Sequence, residues 1–514
     1  MASSLLKSSG VVGFMTLLSR LLGFVRDIMF AKAFGAGAGM DVFIVAQAIP
    51  NFGRRMFAEG AFSQAFVPVF AETRTRGSPA EARALVAVVM GTLGGVLALI
   101  TLIGCLGAPV LLLMFGSGFS AEPAKAELGA QLLRWTFPYL MFISLTSLCG
   151  SVLNTYGRFA IPAMTPVILN LCLIGSAYVN QDSVQVLAYA VFAAGILQFA
   201  FQLPSMAGLG LLPRPRWDWG DARVRRVVKL MMPVMFGSGV AQISLLINSN
   251  LATWLGDGRV SWLYYADRLM EFPLGIFSIA IGTVILPALS VHHTKNAPQD
   301  FSATLDWGLR MILLIGLPAA LGLLLLAGPL ITTIFGYGKF GAEQIHMTMY
   351  ALWAYAAGFM GFSMVKVLVP GFYARQETRI PTRYGVIALC AGIVLSLGLF
   401  TLARHFDFSA AHAGLALATS FTACLNAALL LQRLRRDGIY RPAAGWNAFL
   451  LRLTLACALM AAVVLLLSGS LPEWIAAGKL QRALRLGGVI AAAIATYFGA
   501  LALSGLRPQH FRRH

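Results

Sequence analysis

From one end to the other the chain alternates between long apolar runs and short polar connectors. Fourteen runs approach or exceed the about 20 residues that a helix needs to cross a bilayer. They lie at 9–33, 38–70, 84–115, 128–153, 159–180, 184–211, 227–255, 261–290, 304–335, 343–370, 381–403, 410–432, 446–469 and 484–506. The pattern predicts an all-α integral membrane protein with about 14 transmembrane helices. Several runs are longer than a crossing requires, so they tilt, protrude or break. Pro50, Pro68, Pro273 and Pro287 are the expected bend points.

The two halves of the pattern resemble each other. "AQAIPNFGRRMFAEGAFSQAFVP" (46–68) precedes "ADRLMEFPLGIFSIAIGTVILP" (266–287) by about 219 residues, and "IPAMTPVIL" (161–169) precedes "IPTRYGVIA" (380–388) by the same offset. That offset covers six spans, so both copies enter the membrane in the same direction. Two six-helix lobes in a parallel pseudo-two-fold repeat are therefore expected, with a site between them. The expected division is an N-terminal lobe over 1–216, a C-terminal lobe over 217–440, and two final spans over 441–514 outside the repeat.

Composition supports the membrane reading: 58% of the 514 residues are hydrophobic and 11% charged, against about 25% charged in soluble domains. A net charge of +19 would suit a nucleic-acid binder. Position excludes that partner, because the basic residues cluster in short connectors and no soluble domain carries them. They set orientation instead. One set of connectors, with the C-terminal tail, holds 21 Lys and Arg, and the alternate set holds seven. Both termini are accordingly expected in the cytoplasm. Arg20 interrupts the first apolar run and no A-x-A signal follows, so that run reads as an uncleaved helix.

All six cysteines lie in or beside apolar runs, with no CxxC, and read as packing residues. No GxxxxGK[ST], HExxH or GxSxG occurs. Direct ATP hydrolysis and covalent catalysis thus lack candidate residues, and neither an enzyme nor a cofactor or metal site is expected. His292 and His293 sit in a connector and need no role beyond polarity.

Charge inside the spans is concentrated at three places. The first two spans carry Arg20, Arg26, Asp27, Lys32, Asp41, Arg54, Arg55 and Glu59, and the eighth carries Asp267, Arg268 and Glu271. A charge at the bilayer centre costs from about 2.5 to more than 10 kcal/mol, depending on the reference state. Arg20 lies roughly 15 Å into its helix at 1.5 Å per residue, too deep for easy snorkelling, whereas Lys32 is near the far end. Arg20 and Asp27 share a face, and Arg26 is turned away from Arg20. Arg55–Glu59 and Arg268–Glu271 have the spacings of intrahelical pairs, so salt bridging is a structural alternative for these residues. Arg20, Arg26, Arg54 and Arg268 together exceed what the nearby acids need. Guanidinium forks match phosphate oxygens and stay charged when partly desolvated, which points to an anionic substrate such as a phosphate ester.

The segments "SRLLGFVRD", "PNFGRRMFAEGAFSQAFVPVFAE" and "YYADRLMEFPLGIFSIAIGTVILP" resemble the signature segments of the MviN/MurJ family of bacterial lipid II flippases, in the multidrug/oligosaccharidyl-lipid/polysaccharide exporter superfamily. The resemblance covers essentially the whole chain. It implies a central cavity between two six-helix lobes, and a groove for the lipid tail formed by the last two spans. Carried over by motif, it assigns Arg20, Arg26, Arg54 and Arg268 to the pyrophosphate and Asp41, Glu59, Asp267 and Glu271 to the other cavity charges; Asp27 and Arg55, beside these arginines in sequence, are expected as further supporting charges. The implied substrate is lipid II, the undecaprenyl-pyrophosphate-linked disaccharide pentapeptide, carried by alternating access across the bacterial inner membrane. The sequence departs at Ala48, where some relatives have a basic residue. It also offers Asn248 and Asn250 where some relatives carry a sodium-site acid, so sodium coupling is not implied. Two relatives of the superfamily remain as alternatives: an O-antigen or exopolysaccharide lipid flippase, and a drug/cation antiporter. A cation carrier would present acids in its cavity rather than a surplus of arginine.

Overall fold

A computed structural model describes residues 2–57, 61–212, 214–406 and 408–505, and these are helical throughout, with no strand. Two compact units divide the chain, Met1–Val260 and Ser261–His514. In the first, α1 (Ala2–Phe34), α2 (Ala38–Phe57), α3 (Ala61–Arg76), α4 (Pro79–Leu106) and α5 (Ala108–Phe115) lead to a 3-10 turn at Ser117–Ala121. There follow α6 (Pro123–Thr136), α7 (Tyr139–Thr155), α8 (Ala160–Val179), α9 (Gln185–Ala207) and α10 (Ala222–Thr253). The second unit is built from α11 (Arg259–Thr294), α12 (Pro298–Leu325), α13 (Ala327–Ile334), α14 (Ala342–Tyr373), α15 (Arg379–His405) and α16 (Ala411–Arg436). It ends with α17 (Trp446–Ser468), α18 (Leu471–Ala476) and α19 (Lys479–Leu503).

Every apolar run coincides with helix. Among the described residues, ten stretches are individually long and apolar enough to cross a membrane: α4, the α6–α7 pair, α8, α9, α12, α14, α15, α16, α17 and α19. The remaining four expected crossings fall on α1, the α2–α3 pair, α10 and α11. Large apolar side chains face outward, Leu466 at 82% exposure and Leu503 at 92%. Such surfaces suit hydrocarbon, and a helix satisfies its own backbone there. The chain is a multi-pass membrane protein.

Helix is continuous through the four prolines named as bend points, and the long runs are interrupted elsewhere. Helix α2 continues through Pro50, α3 through Pro68, and α11 through both Pro273 and Pro287. Interruptions occur instead at Gly107, just before Pro109, at Pro138 between α6 and α7, and at Leu326, just before Pro329. A proline removes one ladder hydrogen bond, and neighbouring helices can absorb that loss. A break follows where something else also ends the helix, as Gly107 does between α4 and α5.

Caps and packing then define each unit separately. Ser78 accepts from the Glu81 amide ahead of Pro79 to start α4, and Asp221 accepts from the Arg223 amide to start α10. In the first unit α1 lies on α8, α7 and α8 flank α9, and α10 packs on α2 and α3. Phe62, Phe66 and Phe70 stack in sequence along α3 within its core. In the second unit α14 and α15 both pack on α16, and α12 bridges α14 and α17. A Cβ on Gly358 would lie 2.4 Å from the Ser420 Cβ, so α14 and α16 touch through backbone, the usual use of small residues between membrane helices. The last two helices are fastened to α12 and α13. Tyr497 donates to the Leu314 carbonyl, while Arg482 donates to the Thr332 and Gly336 carbonyls.

Candidate functional site

The charged residues of α1 fall into distinct environments. Arg20 is exposed and has neither an ion pair nor a hydrogen-bond partner among the described residues. Arg26 is paired: its Nη2 lies 2.8 Å from the Asp27 Oδ1, and its Nη1 donates to the Asn170 Oδ1 at 3.1 Å. Asn170, on α8, also donates to the Ser19 carbonyl at 3.0 Å. One polar side chain thereby fixes the helix that carries both arginines and orients one of them. Asp27 is buried, and Arg26 is its counter-ion, so removing either breaks a buried ion pair. Lys32 is exposed two residues before α1 ends.

On α2, Asp41 is almost fully buried and accepts from the Gly258 amide at 2.6 Å. Gly258 has φ +83°, which glycine adopts without the penalty that a side chain would bring. This carboxylate ties the start of α2 to the connector after α10. Half-buried Arg54 donates from Nε to the Asn51 Oδ1 at 3.3 Å, one turn back. Arg55 donates to Gln242 of α10. Glu59, its expected partner, lies outside the described residues.

In the second unit, Arg268 pairs with Glu271 at 2.8 Å across one turn of α11, as the spacing predicts. Its guanidinium also lies 4.9 Å from the Tyr264 ring centroid. Asp267 beside it is half-buried. The structure thus joins Arg26 to Asp27 and Arg268 to Glu271, while Arg20 has no ion pair among the described residues.

Asn250 is engaged structurally: its Oδ1 accepts from the Ser117 hydroxyl at 2.6 Å and its Nδ2 donates to the Met114 carbonyl at 2.8 Å. Among the described residues no group of three or more His, Cys, Asp or Glu could hold a metal ion.

Sequence reasoning passed over a second charged cluster. Asp306 and Arg310 stand four apart on α12, 2.7 Å from carboxylate to guanidinium, and Asp306 is buried. Their i,i+4 spacing inside an apolar run was the available signal. The reading also omitted Lys366 on α14 and Arg452 on α17, both exposed.

The family described as lipid II flippase MurJ matches residues 30–483. A probable lipid II flippase MurJ of Vibrio cholerae is 45% identical over 98% of this chain and 97% of its own length. The lipid II flippase MurJ of Burkholderia cenocepacia is 40% identical, with 98% of each chain covered. The fold is similar to that of a solved lipid II flippase MurJ in an inward closed conformation, at TM-score 0.80 and 24% identity over 96% of this chain and 98% of that one. It is also similar to an inward-facing multidrug resistance MATE family transporter of the MOP superfamily, at TM-score 0.63 and 13% identity, covering 84% and 98%. With a full-length match to the curated sequences and a family match over most of the chain, this protein belongs to the lipid II flippase MurJ family.

Proposed function

We propose that this chain carries lipid II from the cytoplasmic to the periplasmic leaflet of the bacterial inner membrane, as a transporter and not an enzyme. Family membership supports the substrate class. The observation that carries the chemistry is Arg20, a deep cation that no acid neutralises among the described residues. In the proposed arrangement, lobes 1–216 and 217–440 rock about a central cavity, and both termini stay in the cytoplasm. Arg20, Arg54 and Arg268 contact the pyrophosphate directly. Arg26, held by Asp27 and Asn170, contributes a fixed fork beside them.

The physical problem is to take a diphosphate out of water. Guanidinium groups held in place before the substrate arrives replace its hydration shell without reorganisation. The polyprenyl tail stays in hydrocarbon, and 441–514 provide the groove along which it travels. With the cell interior negative, each negative charge moved outward gains about 2.3 kcal/mol per 100 mV. The membrane potential therefore supplies a driving force without a nucleotide site.

The test is rescue of a bacterium depleted of its own lipid II flippase. Growth and normal shape on expressing this chain support the reading. Failure at normal membrane levels would reject it. Rescue only of a strain lacking an O-antigen flippase would reassign the substrate.

A further inference from the structure

The Asp306–Arg310 pair forms one wall of a cavity that the transport reading does not use. Its volume is about 450 Å3, and its lining includes Trp307 and Arg310 of α12, Phe449 and Arg452 of α17, and Gly445 of the connector between α16 and α17. Everything that forms it belongs to the second unit.

The wall is built in layers. Asp306 Oδ1 accepts from the Tyr440 hydroxyl at 2.9 Å, the Trp446 indole at 2.7 Å and the Ala443 amide at 3.2 Å. Its Oδ2 accepts from the Arg310 Nε at 2.7 Å. Burial, and then the neighbouring Asp306 carboxylate, push the Tyr440 hydroxyl pKa upward, so it remains a donor. Arg310 is thereby fixed at one edge, with its Nη2 on the Ala444 carbonyl at 3.0 Å and its plane near the Trp446 and Phe449 rings. Its Nη1 has no hydrogen-bond partner among the described residues, and Arg452 has no ion pair there. Two arginines therefore line the cavity against a single carboxylate, which already accepts four hydrogen bonds. The lining carries one positive charge in excess.

Depth and surroundings identify the kind of anion. Arg452 lies six residues into α17, about 9 Å along its axis, and shares the lining with Trp307, an aromatic of the kind that marks the membrane interface. Beyond it the outer face of α17 is apolar, with Leu451, Leu455 and Leu459 all more than half exposed. On the other side the last turn of α16, with Arg433, Arg435 and Arg436, and the connector, with Arg441, are basic. Cationic pockets between membrane helices at such a level receive lipid phosphate groups.

We propose that this cavity binds the phosphate headgroup of an anionic phospholipid, with Arg452 and the free edge of Arg310 on the phosphate and the acyl chains along α17. The lining contains none of the charged transport residues of α1, α2 and α11, and lipid binding to it is measured without transport.

The experiment is native mass spectrometry of the purified full-length protein in detergent, titrated with phosphatidylglycerol, phosphatidylcholine or inorganic phosphate. One phosphatidylglycerol should bind more tightly than phosphatidylcholine. Arg452→Gln should weaken that binding roughly tenfold, the loss of about one charge-assisted contact, with an unchanged unfolding temperature in the absence of lipid. Arg310→Lys keeps the pairing with Asp306 but loses the fork, and should weaken binding by less. Arg383→Gln, an exposed cation on α15 away from the cavity, should bind as the parent does. Equal binding of the two lipids, or unaltered phosphatidylglycerol binding by Arg452→Gln, would overturn the proposal. Displacement of phosphatidylglycerol by equimolar inorganic phosphate would make it a soluble-anion site and overturn the lipid assignment.

Discussion

Arg20 and Arg26 are six residues apart on one helix, yet their surroundings predict different behaviour. Arg20→Ala removes a charge that no acid neutralises among the described residues, so the protein should accumulate normally and fail to complement. Arg20→Lys keeps the charge without the fork and should restore only part of the activity. Arg26→Ala breaks the ion pair of buried Asp27, and breaking a buried pair costs about 3–5 kcal/mol. Its loss of function should therefore come with reduced membrane levels, and Arg26→Ala with Asp27→Asn should recover the level but not the function. Immunoblots of membranes beside growth curves separate these outcomes. Full complementation by Arg20→Ala would remove it from the substrate site. Asp306 gives a contrast with no transport role: Asp306→Ala strands the Arg310, Tyr440 and Trp446 donors and should lower the unfolding temperature in detergent, whereas Arg452→Gln should leave it unchanged.

The helices are held by close approach as much as by apolar area. A side chain at Gly358 meets the backbone and Cβ of Ser420, whereas a Cβ at Gly322 of α12 meets nothing within 4 Å. Gly358→Leu should then destabilise the α14–α16 seam by about 1–3 kcal/mol. Gly322→Ala should be neutral or stabilising by up to about 1 kcal/mol, through helix propensity. Unfolding midpoints in one detergent compare the two directly, and equal midpoints would remove the seam argument. Helix α10, capped by Asp221 and ending at Thr253, carries the topology prediction. Reporters fused after residue 216 should read cytoplasm, and after residue 256 periplasm. Both on one side would refute the crossing, and with it the parallel repeat.

For the chain as a whole, the open question is the path of the lipid tail. The assignment to 441–514 rests on these helices standing outside the repeat and on their apolar outer faces. The second unit offers a rival surface, an apolar groove along α15 lined by Val394, Leu402 and Phe421. Leu459→Gln on α17 and Ile494→Gln on α19 should impair transport of the full lipid-linked substrate. They should have less effect on binding of a soluble pyrophosphate headgroup analogue. Val394→Gln, on the rival groove, should leave both intact. Transport lost only with Val394→Gln would move the tail path to α15, and equal loss of both activities in the α17 and α19 variants would show that these helices support the fold instead.

Much of this protein could be read from local pattern. A bilayer imposes a minimum apolar length and internal backbone hydrogen bonding on every crossing, so hydropathy located the long helices, though not the short α18 between two of the runs. The i,i+3 spacing of Arg268 and Glu271 likewise predicted their pair, because one helical turn brings such residues together whatever surrounds them. The motifs around Arg20, Arg54 and Arg268 were enough to suggest the family. Tertiary structure decided the state of each charge, since that depends on partners distant in the chain. Asn170 reaches Arg26 from α8, Gly258 meets Asp41, and Gln242 meets Arg55. The interruptions at Gly107, Pro138 and Leu326 were not legible in the sequence either, because a proline ends a membrane helix only where its neighbours leave the lost hydrogen bond uncompensated. Asp306 was missed for the same reason: its donors Tyr440, Ala443 and Trp446 lie more than 130 residues away. A buried carboxylate is stable only where folding brings such donors to it.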